Sequence, residues 1–229
     1  MQKDINWSLN LFVWSIQLIR QNFMGSILEY KHLGKSGLKV SPLCLGTMLF
    51  GRETPSQESQ LIIESARNSG INFIDTADAY VGGDSERLVG RCIKTSRDHW
   101  VLATKLANKM GQGPNKGGLS RKWVMQACEE SLRRLRTEYI DIYYLHKEDH
   151  ATPLRETIMA MGDLIKDGKI RYFGVSNYRS WRVAEICNIC DDLGIDRPIV
   201  SQPYYNATVS YTHLRAHETD SYLVCRLQH

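Results

Sequence analysis

Four residues of types that transfer protons in enzymes occur in order along this chain: Asp75, Tyr80, Lys105 and His146. Asp75, Lys105 and His146 each come directly after an apolar run of strand length, and Tyr80 lies in the segment after Asp75. Each residue alone is weak evidence, because such residues are usually turn or cap residues, solvated charges or satisfied structural groups. An acid, a phenol, an amine and an imidazole at one rim of a sheet are nevertheless candidates for a common site.

Three hydrogen-bonding side chains extend the same pattern. Ser176 and Asn177 follow the fifth predicted strand of the alternating part of the chain, and Gln202 follows the sixth. In a parallel barrel the carboxyl ends of the strands carry the active site, so these residues are expected at the same rim. A structural role stays open for Ser176 and Asn177, because such a pair after a strand also commonly caps a helix.

Strands and helices alternate strictly along the part of the chain that carries these residues. A β-hairpin comes first, with extended pieces at 29–32 and 38–40. Such alternation predicts an α/β fold with a parallel sheet, either a barrel or a doubly wound sheet. No GxGxxG motif follows the first strand, which disfavours the doubly wound dinucleotide-binding fold. The predicted strands are 43–46, 71–74, 100–104, 140–145, 170–174 and 198–201, and the predicted helices include 58–69, 85–95 and 120–136.

The segments around the candidate residues match an ordered set of motifs. The chain resembles the aldo-keto reductases over residues 30–206, and the ordered set is specific although no single member is. The resemblance implies an α/β fold of the (β/α)8 TIM-barrel type with an N-terminal β-hairpin, of which about six of eight βα units are present. The matching motifs are GINFIDTADAY at 70–80, SE at 85–86, ATK at 103–105, DIYYLH at 141–146, GVSN at 174–177 and SQPYYN at 201–206.

By the same resemblance, Asp75, Tyr80, Lys105 and His146 form a catalytic tetrad. Tyr80 protonates the developing alkoxide, and the ammonium of Lys105 stabilises the phenolate that remains. Asp75 keeps Lys105 protonated and oriented, while His146 positions the carbonyl oxygen or shares in proton transfer. The implied function is the reduction of aldehydes or ketones to alcohols by hydride transfer from NAD(P)H.

Ser176, Asn177 and Gln202 match the family positions that hydrogen-bond the carboxamide of the nicotinamide. The implied cofactor is NADP, in its reduced form NADPH. NAD stays open, because phosphate sites in such barrels are frequently built by loops after strands seven and eight, which the chain lacks. The implied partner is a small carbonyl compound of unspecified structure, and the oligomeric state stays open.

The two ends of the chain depart from the resemblance. We interpret residues 1–27 as a non-native or flexible extension, residues 28–206 as the partial barrel and residues 207–229 as a non-native tail. The apolar stretch near the N-terminus is too short and too polar to span a bilayer, so the cytoplasm is the expected location and no membrane partner is expected. An unclosed barrel exposes sheet edges, so we expect the 229-residue product to be poorly folded and inactive alone.

Charge and cysteine usage narrow the remaining classes of function. The net charge of +4 comes from 29 basic and 25 acidic residues spread along the chain, so no nucleic-acid partner is expected. Cys187 and Cys190 form a CxxC motif inside an apolar helical run, and we interpret them as core residues. His213 and His217 have the spacing of a metal pair, but no third ligand is identifiable and no metal site is predicted.

Two other functions are alternatives to the reductase. Relatives of the resembled family serve ion channels as redox-sensing β subunits, so a cofactor-binding regulatory protein is the alternative to an enzyme. Turnover of generic carbonyls, against nucleotide binding without turnover, separates these two functions. A metal-dependent hydrolase on the same barrel needs pairs of ligands at strand ends, and only His146 follows a strand immediately, with His150 farther into the loop.

Overall fold

The computed structural model describes residues 28–203 of the chain. All seven candidate site residues lie within this part. The interpretations of residues 1–27 and 207–229, including the pair His213 and His217, fall outside the described residues. The last residues of the final motif, 204–206, also fall outside them.

The described part begins with a hairpin and continues as a regular alternation of strands and helices. The hairpin is confirmed, since its two strands pair antiparallel and Leu33 N donates to Leu38 O at 2.9 Å. Two 3₁₀ segments, Tyr80–Gly83 and Lys94–His99, flank the second helix. In chain order the elements are β1 (Lys31–His32), β2 (Lys39–Val40), β3 (Cys44–Gly46), α1 (Ser56–Asn68), β4 (Phe73–Asp75), α2 (Asp84–Ile93), β5 (Val101–Leu106), α3 (Arg121–Leu135), β6 (Ile140–Leu145), α4 (Leu154–Lys166), β7 (Ile170–Ser176), α5 (Ser180–Leu193) and β8 (Ser201–Gln202).

Strands β3 to β8 form one sheet whose spatial order is the order of the chain. Every neighbouring pair in this sheet is parallel, and the helices α1 to α5 connect successive strands. The sheet is curled and forms part of a barrel. The predicted fold, an incomplete (β/α)8 barrel preceded by a hairpin, is confirmed.

The two faces of the sheet carry separate apolar clusters, because successive side chains of a strand point to opposite faces. Ile74 and Leu102 belong to the larger cluster, which also contains the buried apolar residues of the helices. Phe73 and Val101 belong to the smaller cluster, together with Val40 of the hairpin. We call the face with this smaller cluster the inner face. Asp75 and Lys105 lie on it as well, because they follow Phe73 and Val101 on the same strands by an even number of residues.

Several strands end later than the sequence predicts. Strand β5 continues to Leu106, so Lys105 lies inside the strand and not after it. Asp75 is likewise the last residue of β4, and Ser176 is the last residue of β7. In β5 the cause is local packing, since Leu106 is fully buried among the helices and extends the apolar alternation past the charged residue.

The sixth strand of the sheet also lies later than predicted. Its ladder consists of Ser201–Gln202, so Gln202 ends the strand and does not follow it. The preceding residues are still bound to β7, since Ile199 N donates to Phe173 O and Val175 N donates to Val200 O, each at 3.0 Å.

Helices α2 and α3 are in contact at Gly90. A Cβ atom at this position would lie 2.2 Å from Leu135 O, a backbone atom that cannot rotate away. Overpacking of this kind costs about 1–3 kcal/mol, so we expect Gly90→Ala to lower the free energy of unfolding by that amount in urea denaturation. Gly37→Ala is the matched control, since nothing lies within 4 Å of its added Cβ. Equal stability of the two variants would contradict this close contact.

Candidate active site

Lys105 lies at the centre of the inner face near the carboxyl ends of the strands. Lys105 is 1% exposed, so its ammonium needs hydrogen-bond acceptors from within the protein. Lys105 Nζ donates to Asp75 Oδ2 at 2.5 Å, to the backbone oxygen of Thr76 at 2.8 Å and to Tyr80 Oη at 3.2 Å. The three protons of the ammonium are therefore matched by three oxygen acceptors on the neighbouring strand and its loop.

Asp75 and Lys105 form a tightly coupled buried pair. Burial lowers the pKa of the Lys105 ammonium, but the Asp75 carboxylate and the Tyr80 hydroxyl more than offset this, so the pKa is raised above its usual value. Burial raises the pKa of the Asp75 carboxyl, which the charge of Lys105 and hydrogen bonding to Lys105 and Gln202 lower only in part. Lys105 therefore keeps its proton at neutral pH and presents a positive charge to Tyr80.

Tyr80 reaches the ammonium because the chain after β4 turns across the end of β5. Asp78 N donates to Lys105 O at 3.0 Å, which fixes this turn to the strand beside it. Immediately after Tyr80, Val81 has φ 48° and ψ 41°, a left-handed conformation that β-branched residues rarely adopt. Strain of this kind costs about 1–3 kcal/mol and is held where the surrounding structure requires a particular chain path.

His146 follows β6 directly, as predicted, and its ring lies beside Tyr80. The two rings meet edge to face, with centroids 6.0 Å apart and an interplanar angle of 80°. Asn108 Nδ2 lies 3.1 Å from His146 Nδ1. Burial, followed by the positive charges of Lys105 and Lys147, lowers the pKa of the imidazole to about 4, so the ring is neutral at physiological pH.

Ser176, Asn177 and Gln202 form a second group on β7 and β8. Ser176 Oγ donates to Gln202 O at 3.1 Å, and Asn177 N donates to the same oxygen at 3.2 Å. Asn177 has φ 59°, and its Nδ2 donates to Ser176 Oγ and to His146 O, each at 3.0 Å. Both protons of this amide are thus used within the protein.

The structure brings the seven predicted site residues into two linked groups. Asp75, Tyr80 and Lys105 are joined by hydrogen bonds, and the ring of His146 completes the first group. The second group is tied to the first through the bond from Asn177 to the backbone of His146. Sequence reasoning missed Asn108, because nothing in a loop rich in glycine and lysine marks this one amide as a partner of the imidazole.

Other kinds of site find little support in the described part of the chain. Within residues 28–203, no group of three or more His, Cys, Asp or Glu could hold a metal ion. Over the same residues, no helix is long and apolar enough to cross a membrane. Cys187 and Cys190 are buried on α5 as free thiols, which confirms their interpretation as core residues.

Comparison with known families decides what kind of protein carries this arrangement. The sequence profile described as Aldo/keto reductase family matches residues 42–225. This chain belongs to the aldo/keto reductase family. The match covers most of the chain and spans all seven candidate site residues, so the partial barrel is that of an aldo/keto reductase.

Three relatives with assigned names are similar to this aldo/keto reductase chain. A protein named probable voltage-gated potassium channel subunit beta, from Arabidopsis thaliana, is 39% identical over 183 residues, which is 78% of this chain. A protein of the same name from Oryza sativa subsp. japonica is 37% identical over 183 residues, again 78% of this chain. A putative voltage-gated potassium channel subunit beta from Schizosaccharomyces pombe is 35% identical over 191 residues, or 81% of this chain. The aligned part spans 56% of the length of each relative.

Asp78, two residues before Tyr80, is a second buried carboxyl of this aldo/keto reductase rim. Burial and the neighbouring Glu86 carboxylate raise its pKa to about 8, although Arg134 acts in the opposite direction. An acid whose pKa is raised on folding binds more protons in the folded state than in the unfolded state. Its contribution therefore destabilises the fold increasingly as pH rises between the two values.

We expect Asp78→Asn to remove this pH dependence. Relative to the wild type, the variant should gain roughly 2–4 kcal/mol more at about pH 8 than at about pH 5, since each pKa unit corresponds to about 1.4 kcal/mol. Urea denaturation at the two pH values measures the difference. Asp98→Asn changes an exposed carboxyl and is the control. Parallel pH profiles for wild type and Asp78→Asn would refute the raised pKa.

Proposed function

We propose that this site belongs to a cytoplasmic oxidoreductase that uses NADPH to reduce aldehydes or ketones to alcohols. The observation that carries the proposal is the buried ammonium of Lys105, held between the Asp75 carboxylate and the Tyr80 hydroxyl next to a neutral His146. A structural ion pair needs neither the phenol nor the imidazole. Their convergence on one buried cation is what proton transfer to a substrate oxygen requires.

The four residues divide the chemistry of carbonyl reduction between them. When bound, NADPH supplies the hydride that adds to the carbonyl carbon. Tyr80 Oη gives its proton to the carbonyl oxygen, and the positive charge of Lys105, 3.2 Å away, stabilises the phenolate that remains. Asp75 balances that charge in the buried site. The imidazole of His146 hydrogen-bonds the carbonyl oxygen and orients it towards Tyr80.

The second group of residues fits one end of the cofactor. A nicotinamide carboxamide offers an N–H donor and a C=O acceptor, and the rim provides complementary groups in Asn177 Oδ1 and the side-chain amide of Gln202. The hydroxyl of Ser176 donates to the backbone oxygen of Gln202, so it fixes the backbone that carries this amide. NAD and NADP share the carboxamide, and the preference for NADP is carried by family membership alone.

A second candidate is a regulatory β subunit of a potassium channel that binds the cofactor and turns over little. The names of the three relatives favour it, and their sequences are 35–39% identical to this chain. The chain spans about half the length of these relatives, so the activity and partners of the whole protein are proposals in either case. Measured turnover is what distinguishes the two candidates.

The test is NADPH oxidation, followed by absorbance, with a panel of small aldehydes and ketones. It uses the 229-residue chain and a chimaera in which the aligned segment of this chain replaces its counterpart in the Arabidopsis relative. The chimaera supplies the remaining length, and a cooperative thermal transition shows that it is folded. We expect carbonyl-dependent oxidation in the chimaera. A folded chimaera that binds NADPH tightly but does not turn over any carbonyl would favour the regulatory subunit.

A further inference from the structure

The imidazole of His146 has a partner outside the seven predicted site residues. Asn108 Nδ2 lies 3.1 Å from His146 Nδ1. The nitrogen of a side-chain amide donates hydrogen bonds and does not accept them, so the ring nitrogen must be the acceptor. A neutral imidazole carries one proton, which this contact therefore assigns to Nε2.

From this geometry we propose that Asn108 is a positioning residue that holds His146 in the Nε2–H tautomer, ready to donate to a substrate carbonyl oxygen. The inference rests on the proposed reductase function only for the last step, the donation to a carbonyl. In the opposite tautomer Nε2 would be a lone-pair acceptor, and it would repel the oxygen that it is meant to orient. Asn108 thus acts on the substrate through the histidine and not by contact.

Backbone and side-chain hydrogen bonds hold the loop that carries Asn108 beside His146. Gly118 N donates to Ala107 O at 2.9 Å, which closes the loop at its base directly before Asn108. Ala107 has φ 131°, a conformation that L residues rarely adopt and that turns the chain out of β5. Asp149, from the loop after His146, accepts from Leu119 N at 2.8 Å. This bond links the loop after β5 to the loop after β6, in addition to the contact between Asn108 and His146.

The backbone of His146 is fixed independently of Asn108. His146 N donates to Leu106 O at 2.9 Å, and His146 O accepts from Asn177 Nδ2 at 3.0 Å. The low pKa of the ring, about 4, keeps it neutral, which is the state in which a choice of tautomer exists. A change at position 108 should therefore alter the position of the ring proton more than the position of the ring.

The experiment reads the tautomer directly by NMR of protein labelled with ¹⁵N-histidine, using the 229-residue chain and the chimaera at about pH 7.5. His146→Gln identifies the signals of His146 by their disappearance. In the wild type we expect Nε2 of His146 to be protonated and Nδ1 to be unprotonated. In Asn108→Asp the carboxylate can only accept, so Nδ1 should gain a proton; Asn108→Ala, which offers no partner, is the control. A proton on Nδ1 in the wild type, or an unprotonated Nδ1 in Asn108→Asp, would overturn the proposal.

Kinetics of the chimaera separate this inference from the proposed function. If the chimaera reduces carbonyls, Asn108→Asp should lower kcat about 10²- to 10³-fold, the order of effect seen when one oxyanion-hole donor is lost. NADPH affinity should stay within about 2-fold, since the proposal assigns no step of cofactor binding to Asn108. If no carbonyl is reduced but the NMR result is as expected, the proposed function fails and the tautomer assignment stands. A normal kcat in Asn108→Asp together with a moved proton would refute the catalytic use of the tautomer.

Discussion

Replacing Tyr80 by Phe is expected to lower the rate of carbonyl reduction by about 10²–10⁴-fold, the usual contribution of a positioned general acid. Among the three acceptors of the Lys105 ammonium, the Tyr80 hydroxyl alone carries a proton that it can give to a substrate oxygen, because the other two are a carboxylate and a backbone carbonyl. NADPH binding should change by less than about 3-fold, since no step of cofactor recognition is assigned to this hydroxyl. Steady-state kinetics of the chimaera and a nucleotide titration measure the two effects.

Tyr143→Phe is the matched control for this variant. It removes the same oxygen from a fully buried tyrosine that faces the helices on the other side of the sheet. Turnover should remain within about 2-fold of the wild type, because no step of the reaction is assigned to this hydroxyl. If Tyr80→Phe kept more than a tenth of the activity, another group would have to be the proton donor.

The alternation of strands and helices could be predicted from the sequence because each element carries its own local pattern. The rim residues followed from the same pattern, since His146 comes directly after a complete apolar strand and Asp75 ends one. The sequence predicts Lys105 outside its strand, because a charged residue ordinarily ends an apolar run. Its burial depends on Asp75, which lies 30 residues earlier, and no local pattern reports such a pairing.

The contacts among the rim residues were not predictable for a similar reason. Whether the Ser176 hydroxyl faces a ligand or the protein depends on the register of β8, which places Gln202 opposite Ser176. The partner of the His146 ring depends on how the loop after β5 closes. Both depend on tertiary geometry, whereas the identity of the polar residues depends on sequence alone.

The largest expected effect on stability is that of Lys105→Met. The variant leaves the Asp75 carboxyl buried without its cation, and breaking a buried pair in this way costs about 3–5 kcal/mol. Because burial raises the pKa of Asp75, the folded variant takes up a proton and its stability falls as pH rises. The loss should therefore be greater at about pH 8 than at about pH 5, as measured by urea denaturation of the chimaera.

The double variant Asp75→Asn with Lys105→Met separates the two roles of the pair. Stability should recover by more than about half, because no unpaired charge remains in the site. Carbonyl reduction should stay as low as in Lys105→Met, since nothing stabilises the phenolate when Tyr80 gives up its proton. Recovery of both properties would mean that the ammonium serves only the fold, and the arrangement around it would then be a structural ion pair with a tyrosine beside it.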